Sequence, residues 1–311
     1  MKAFILNNPG DVSELQLQDI ETPTIQPGEV LVKIKAISIN PVDVKSRTGK
    51  GVYGRIKDQS PLILGWDISG TVTESQSEKF KAGDEVFGMV NFPGHGKAYA
   101  EYVAAPAAQL ALKPANISHP EAAAATLAAL TAYQAMVHNA HVQSGQKVLV
   151  HAAAGGVGHF AVQLAKHLGA HVTGTSSARN KDFILNLGAD AHIDYTTYDW
   201  ANHPEEFDFV LDGVGGDTID TSILVTKPGG TVISIPTGLN EAVTEKAKAK
   251  GVNGYFILVK SDGYDMQQVA ALLEKGTLKA HVSETFPFAE MAEAHLQVES
   301  GRTVGKVIVT L

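Results

Sequence analysis

A run of small residues between a strand pattern and a helix pattern offers the clearest chemistry in the chain. Val148-Leu-Val-His leads into Ala152-Ala-Ala-Gly155-Gly156-Val157-Gly158, and an amphipathic segment follows to Gly169. Glycine has no Cβ, so a pyrophosphate can approach the backbone. The free N–H groups at a helix start then face its negative charge. Gly155, Gly156, Val157 and Gly158 are therefore the expected dinucleotide contacts, with Ala152 in the place of the first glycine of a G-x-G-x-x-G fingerprint. A tight turn with no ligand is the plainer alternative. An NAD site offers an acid about 20 residues further on, to bind the ribose 2′-hydroxyl. Here that stretch reads Gly174-Thr-Ser176-Ser177-Ala-Arg179-Asn-Lys181. Hydroxyls and two cations replace the acid, which favours the 2′-phosphate of NADPH. Solvated surface cations are the alternative for Arg179 and Lys181.

Other chemistries are disfavoured by composition. With no cysteine the chain has no disulfide, no thiolate nucleophile and no cysteine-ligated zinc, and its 12 histidines form no H-E-x-x-H or comparable cluster. A net charge of -8 argues against nucleic acid as a partner. No apolar run approaches the ~20 residues that cross a bilayer, and Met1-Lys-Ala-Phe-Ile-Leu reads as a strand, not a leader peptide. The expected location is cytoplasmic.

The elements that must position these residues follow from patterning. Up to about residue 110, short alternating apolar segments such as Glu29-Val-Leu-Val-Lys-Ile-Lys-Ala-Ile are broken by Pro and Gly, which predicts mostly β structure. Ser118-His-Pro-Glu121 is a capping box opening an alanine-rich helix expected to run through His138. From Lys147 onward strands and helices alternate, the signature of a parallel, doubly wound sheet. Beyond Gly263 two amphipathic helices and a last strand, Lys306-Val-Ile-Val-Thr-Leu311, must return to a sheet, for which the N-terminal β region is the candidate host. Three segments result: 1–115, 116–262 and 263–311. The apolar strand Tyr255-Phe-Ile-Leu-Val259 reads as a sheet edge that can pair with its twin in a homodimer, or be covered within its own chain.

Several of these segments carry a resemblance that spans essentially the whole chain. Asn40-Pro41-Val42-Asp43-Val44-Lys45, Gly65-Trp66-Asp67-Ile-Ser-Gly70, Gly83-Asp84-Glu-Val-Phe-Gly88, the glycine turn and Gly305-Lys306-Val-Ile-Val resemble the zinc-independent quinone oxidoreductase and alkenal/enone reductase branch of the medium-chain dehydrogenase/reductase superfamily. The resemblance implies an α/β fold: a GroES-like, mostly-β catalytic domain plus a Rossmann domain. Zinc-dependent relatives carry Gly-His-Glu where this chain has Gly65-Trp66-Asp67. Carried over by motif, Lys45 reaches the nicotinamide end of the cofactor and Asn40 lines the same cleft. Ser176, Ser177, Arg179 and Lys181 take the 2′-phosphate, Tyr195 the adenosine half, and Gly305 and Lys306 close over the cofactor. Plainer roles stand beside these: a turn at Asn40, an exposed charge at Lys45, a packed strand end at Tyr195, a bend at Gly305. Without a metal as Lewis acid, substrates activated by conjugation fit best, namely a quinone or an enone. Asn40, Lys45 and Tyr53 are then the candidate donors to the developing oxyanion, with Tyr53 in a glycine-flanked loop. An inactive NADPH-binding or interaction protein of the same fold is the alternative function.

Overall fold

A computed structural model describes residues 1–203, 206–236, 238–239 and 242–311, which include every candidate site residue. The chain divides into two units, Met1–Leu130 with Val259–Leu311, and Thr131–Leu258. In the first unit β1 (Lys2–Leu6) and β2 (Leu15–Asp19) form an antiparallel ribbon. The alternating segment after them becomes β3 (Glu29–Ile39), the strand on which the main sheet is built. The chain then crosses through two short helices, α1 (Pro41–Arg47) and α2 (Tyr53–Ile56). It continues through β4 (Asp67–Ser75), β5 (Glu85–Met89), β6 (Tyr102–Pro106) and β7 (Leu110–Leu112). β3 pairs antiparallel with both β4 and β6, β4 with β5, and β5 with β7.

The capping box forms: Glu121 Oε2 accepts the Ser118 N–H at 2.8 Å and opens α3 (His119–Ala124). The alanine-rich run is not one helix, however. It breaks at Ala125-Thr126, resumes as α4 (Leu127–Tyr133) and ends in a π-helical turn, Gln134–Asn139. Long-range chemistry causes the break. The Leu127 N–H donates to Asp67 Oδ1 at 3.0 Å, and Thr126 Oγ1 donates to the Ala123 carbonyl at 2.7 Å, so the local i→i−4 ladder loses a donor to a distant carboxylate.

The second unit holds β8 (Lys147–Val150), α5 (Gly156–His167), β9 (His171–Ser176), α6 (Lys181–Asn186) and β10 (Ala191–Asp194). After these come β11 (Phe207–Asp212), α7 (Thr218–Val225), β12 (Thr226–Ser234), α8 (Val243–Lys248) and β13 (Asn253–Phe256). The strands pair in parallel in the order β10-β9-β8-β11-β12-β13. The chain winds outward from β8 to β10 and then restarts on the other side at β11. The order therefore reverses beside the turn that follows β8, where doubly wound sheets bind ligands. Val148, Leu149 and Val150 are fully buried in its core. β13 is the last strand of this order, and it leaves Tyr255 and Phe256 47% and 56% exposed.

The chain returns to the first unit through α9 (Gly263–Glu274), β14 (Val282–Pro287), α10 (Met291–Glu299) and β15 (Lys306–Thr310). β15 pairs antiparallel with β3, Val307 opposite Ile39, and β14 lies parallel on its outer side. The boundary between the units falls at Leu130 where 115 was expected, and at Val259 in place of 263. The reason is packing: Ala123 and Ala124 of α3 are fully buried against Ala36 of β3 and Ile308 of β15. Each alanine methyl so buried contributes on the order of 0.8 kcal/mol and the Ile308 side chain roughly 1.5–3 kcal/mol, which holds α3 to the N-terminal sheet. Among the described residues no helix is long and apolar enough to cross a membrane.

Candidate functional site

In the second unit the glycine turn takes the form its composition predicts. Gly155 is the N-cap of α5 and has no side chain to bond the helix's first N–H groups, so those of Gly156, Val157 and Gly158 are left for a ligand. The Gly155 N–H donates to the Ala152 carbonyl at 2.9 Å and closes the turn. A Cβ on Gly158 would collide with that same carbonyl, so glycine there permits close helix–strand packing. Ala152 stands at φ 51°, a left-handed conformation in which alanine replaces the usual first glycine. Beside the turn, buried His151 sets Nδ1 3.2 Å from Thr175 Oγ1, and burial pushes its pKa down to about 4, so it is a neutral imidazole.

At the end of β9, Ser176 is buried and its Oγ lies 2.9 Å from His192 Nε2, while Ser177 is half-buried. Arg179 and Lys181 are exposed, and no carboxylate ends the strand. Bonds from the Thr196 hydroxyl and N–H, joined by one from the Ala178 N–H, hold the carboxyl of Asp194 on the neighbouring strand below the usual range. Asp194 thereby ties down the turn that carries Arg179, a role that sequence reasoning missed. Tyr195 is 57% exposed, which removes the packed-strand-end alternative. Uncapped helix N–H groups, hydroxyls and two cations fit a phosphorylated dinucleotide.

The first unit holds a buried polar cluster of a different kind. Asn40, Asp43, Asp67 and Lys306 are all 3% exposed or less. The Asn40 Nδ2 donates to Asp67 Oδ2 at 2.8 Å, and Lys306 Nζ donates to Asn40 Oδ1 and to the Ile39 carbonyl at 3.3 Å. The Asn40 N–H donates to Asp43 Oδ2 at 2.5 Å and caps α1. Burial and the negative charge of Asp67 push the Asp43 carboxyl up to about 8, so it is protonated at neutral pH. Burial also raises Asp67, opposed by Lys306 and by donors from Asn40, Thr126 and Leu127. Lys306 is lowered by burial, against the support of both carboxyls. Further along α1, Arg47 Nη2 donates to Glu299 Oε2 of α10 at 3.0 Å, and Tyr99 Oη lies 2.8 Å from His295 Nε2.

Asn40, expected to line the cleft, and Lys306, expected to close over the cofactor, are buried and engage one another, the carboxamide adding an acceptor for an ammonium that the Ile39 carbonyl and the two carboxyls also support. Gly305 lies at φ 70°, and a Cβ there would strike the His281 carbonyl, so it is a required bend. Lys45 stands half-buried on α1, and Tyr53 opens α2 in place of lying in a loop. Asp43 and Asp67 escaped sequence reasoning, although the Asn40-x-x-Asp43 spacing of an N-cap and its third helical residue was a usable signal for Asp43.

The residues present do not fit a zinc site. The chain has no cysteine, and Trp66, in the place of the histidine of Gly-His-Glu, is fully buried with Nε1 donating to the Gly94 carbonyl at 2.6 Å. Among the described residues no group of three His, Asp or Glu side chains converges on a metal-sized space.

Comparison with known proteins places this geometry. Residues 26–115 match the alcohol dehydrogenase GroES-like domain family, and residues 187–309 a family described as zinc-binding dehydrogenase. A 2-methylene-furan-3-one reductase of Solanum lycopersicum is 36% identical over 99% of this chain and 79% of its own length. An NADPH-dependent alkenal/one oxidoreductase of Arabidopsis thaliana is 35% identical over the same shares. The solved structure of a quinone oxidoreductase from Coxiella burnetii superposes with a TM-score of 0.94 at 37% identity, covering 100% of this chain and 99% of that one. The chain therefore belongs to the medium-chain dehydrogenase/reductase superfamily, with the quinone oxidoreductases and alkenal/enone reductases.

Proposed function

We propose that this protein is an NADPH-dependent, zinc-independent reductase that transfers hydride to a quinone or to the conjugated double bond of an α,β-unsaturated carbonyl. The observation that carries the reading is the β8–α5 turn with its uncapped helix start, followed by a β9 end bearing Ser176, Ser177, Arg179 and Lys181 and no acid. The NADPH named for the Arabidopsis relative agrees with it. When bound, the dinucleotide supplies the hydride. The backbone N–H groups of Gly156, Val157 and Gly158 hold its pyrophosphate. Arg179 and Lys181 pair with the 2′-phosphate, Ser176 and Ser177 offer hydroxyls to it, and Tyr195 covers the adenosine. Lys45 and Tyr53 donate hydrogen bonds to the enolate or hydroquinone oxygen as charge develops there, and Asn40 acts from behind them. Solvent supplies the proton. The absence of cysteine and the engaged indole of Trp66 support zinc independence.

The test is loss of NADPH absorbance against a panel of quinones and enones, with NADH in parallel and products identified. NADPH oxidation well above NADH, yielding a saturated carbonyl or a hydroquinone, supports the proposal. Tight NADPH binding with silence across the panel sinks it in favour of a binding protein. Two further parts of the proposal rest on weaker supports. A homodimer formed through β13 would cover Tyr255 and Phe256, and a cytoplasmic location accords with the composition; sedimentation and cell fractionation decide them.

A further inference from the structure

A buried lysine among two aspartates is costly to assemble, because each charge leaves water, and apolar residues of equal volume would give comparable stability. What such a cluster does supply is a single geometry. Its members converge on one short helix. Lys306 of β15 and Asp67 of β4 grip opposite ends of the Asn40 carboxamide, and Asp43 caps the same residue's N–H. At the far end of the helix Arg47, 2% exposed, is held by Glu299 of α10. α1 is thus fixed at both ends, to three elements of its unit. A helix of only seven residues has little stability of its own, so these ties set its place.

We infer that Asp67 and Lys306 are positioning residues of the reductase reaction: by clamping Asn40 they fix the start of α1 and, one turn on, the Lys45 that the proposed mechanism uses. This rests on the reductase reading above. Neither residue touches substrate in this scheme. They act through Asn40, and their loss displaces a donor by a fraction of an ångström to an ångström, a range that costs one to two orders of magnitude in rate.

The test compares wild type with Asp67→Asn, Lys306→Met and the double variant, which leaves no orphan charge. Asp67→Asn keeps an acceptor for the Asn40 amide at the cost of the Leu127 N–H bond, and lets Asp43 ionise against Lys306. For each variant that melts cooperatively, NADPH Kd, kcat and hydrogen exchange of the α1 amides are measured. In the double variant, Kd is expected within about two-fold of wild type, kcat falls about ten-fold or more, and α1 exchange rises about ten-fold while β4 and β5 stay protected. Asp67→Asn moves kcat and exchange the same way by about three-fold. A fall in kcat with α1 exchange unchanged overturns the inference, as does freed α1 exchange with kcat kept. A silent wild type condemns the reductase reading instead, and α1 exchange still reports on the clamp.

Discussion

Ala152 is the residue at which sequence and backbone disagree most openly. Its φ of 51° is one that a Cβ disfavours by roughly 1–2 kcal/mol, and it occupies the place of a glycine in the fingerprint. Glycine would relieve that strain but enlarge the unfolded ensemble, at a cost of about 0.4–1 kcal/mol. Ala152→Gly is therefore expected to raise the urea midpoint by the equivalent of about 0.5–1 kcal/mol and to leave NADPH affinity unchanged. A lowered midpoint would mean that the turn is strained elsewhere. At the other end of the nucleotide, exposed Arg179 has the 2′-phosphate as its proposed partner. A hydrogen bond to a charged group is worth about 1.5–3 kcal/mol, so Arg179→Ala should raise the NADPH KM by about ten-fold or more and leave NADH use nearly unaltered. Equal losses for both cofactors would remove Arg179 from the 2′-phosphate site. These residues were legible because their chemistry is local to one βαβ unit. The Asn40 cluster was not. Its partners lie 27 and 266 positions away, so nothing near Asn40 in the chain announces that its carboxamide is engaged or that Lys306 is buried.

Elements were legible where burial gave them a period. α5, β8 and the returning β15 each show an uninterrupted apolar face, and the structure has them where the pattern put them. β14 escaped because its residues, Val-Ser-Glu-Thr-Phe-Pro, are mostly exposed at the outer side of the sheet. The break between α3 and α4 escaped for another reason: alanine propensity favours continuing the helix, and only the carboxylate of Asp67 diverts the Leu127 N–H. β13 makes a prediction of its own. An edge strand with two half-exposed aromatics is a template for pairing, and a charge placed on it blocks that pairing. Tyr255→Lys should convert a dimer to a monomer in sedimentation and keep the wild-type melting behaviour of dilute protein. A wild-type chain that sediments as a monomer at every concentration removes the dimer from the proposal.

Across the whole molecule, buried ionisable groups set the pH of greatest stability. Desolvation drives buried His151 and His295 down to about 4 and about 3, and half-buried His95 to about 4. Unfolding returns each to about 6.5. Between that value and the folded values the unfolded chain holds more protons, so stability is lost as pH falls through this window. Asp43 acts with the opposite sign. Its folded value of about 8 lies above its ordinary 3.8, so the folded chain holds the extra proton between them, and stability is lost as pH rises. Asp67, raised by burial, works in the same direction as Asp43. Near pH 5 the histidines outweigh the carboxyls, with a net slope on the order of 1 kcal/mol per pH unit. Near pH 7 each unfolded imidazole still holds roughly a quarter of a proton, so the three together nearly offset Asp43, and Asp67 turns the balance toward decline. The melting temperature should therefore peak between about pH 6 and 7. Lys306, lowered by burial, brings the opposite sign on the alkaline side, so the decline is best read between about pH 6.5 and 8. Asp43→Asn keeps an acceptor for the Asn40 N–H and removes the proton, so melts of this variant should decline less steeply, with only the part due to Asp67 left, and keep the acid limb. A wild type that gains stability from neutrality toward pH 8, or a variant whose decline there equals the wild type's, would show that Asp43 is ionised in the folded chain. The cluster would then hold a full negative charge beneath α1, and Lys306 would be its counter-ion in addition to the clamp on Asn40.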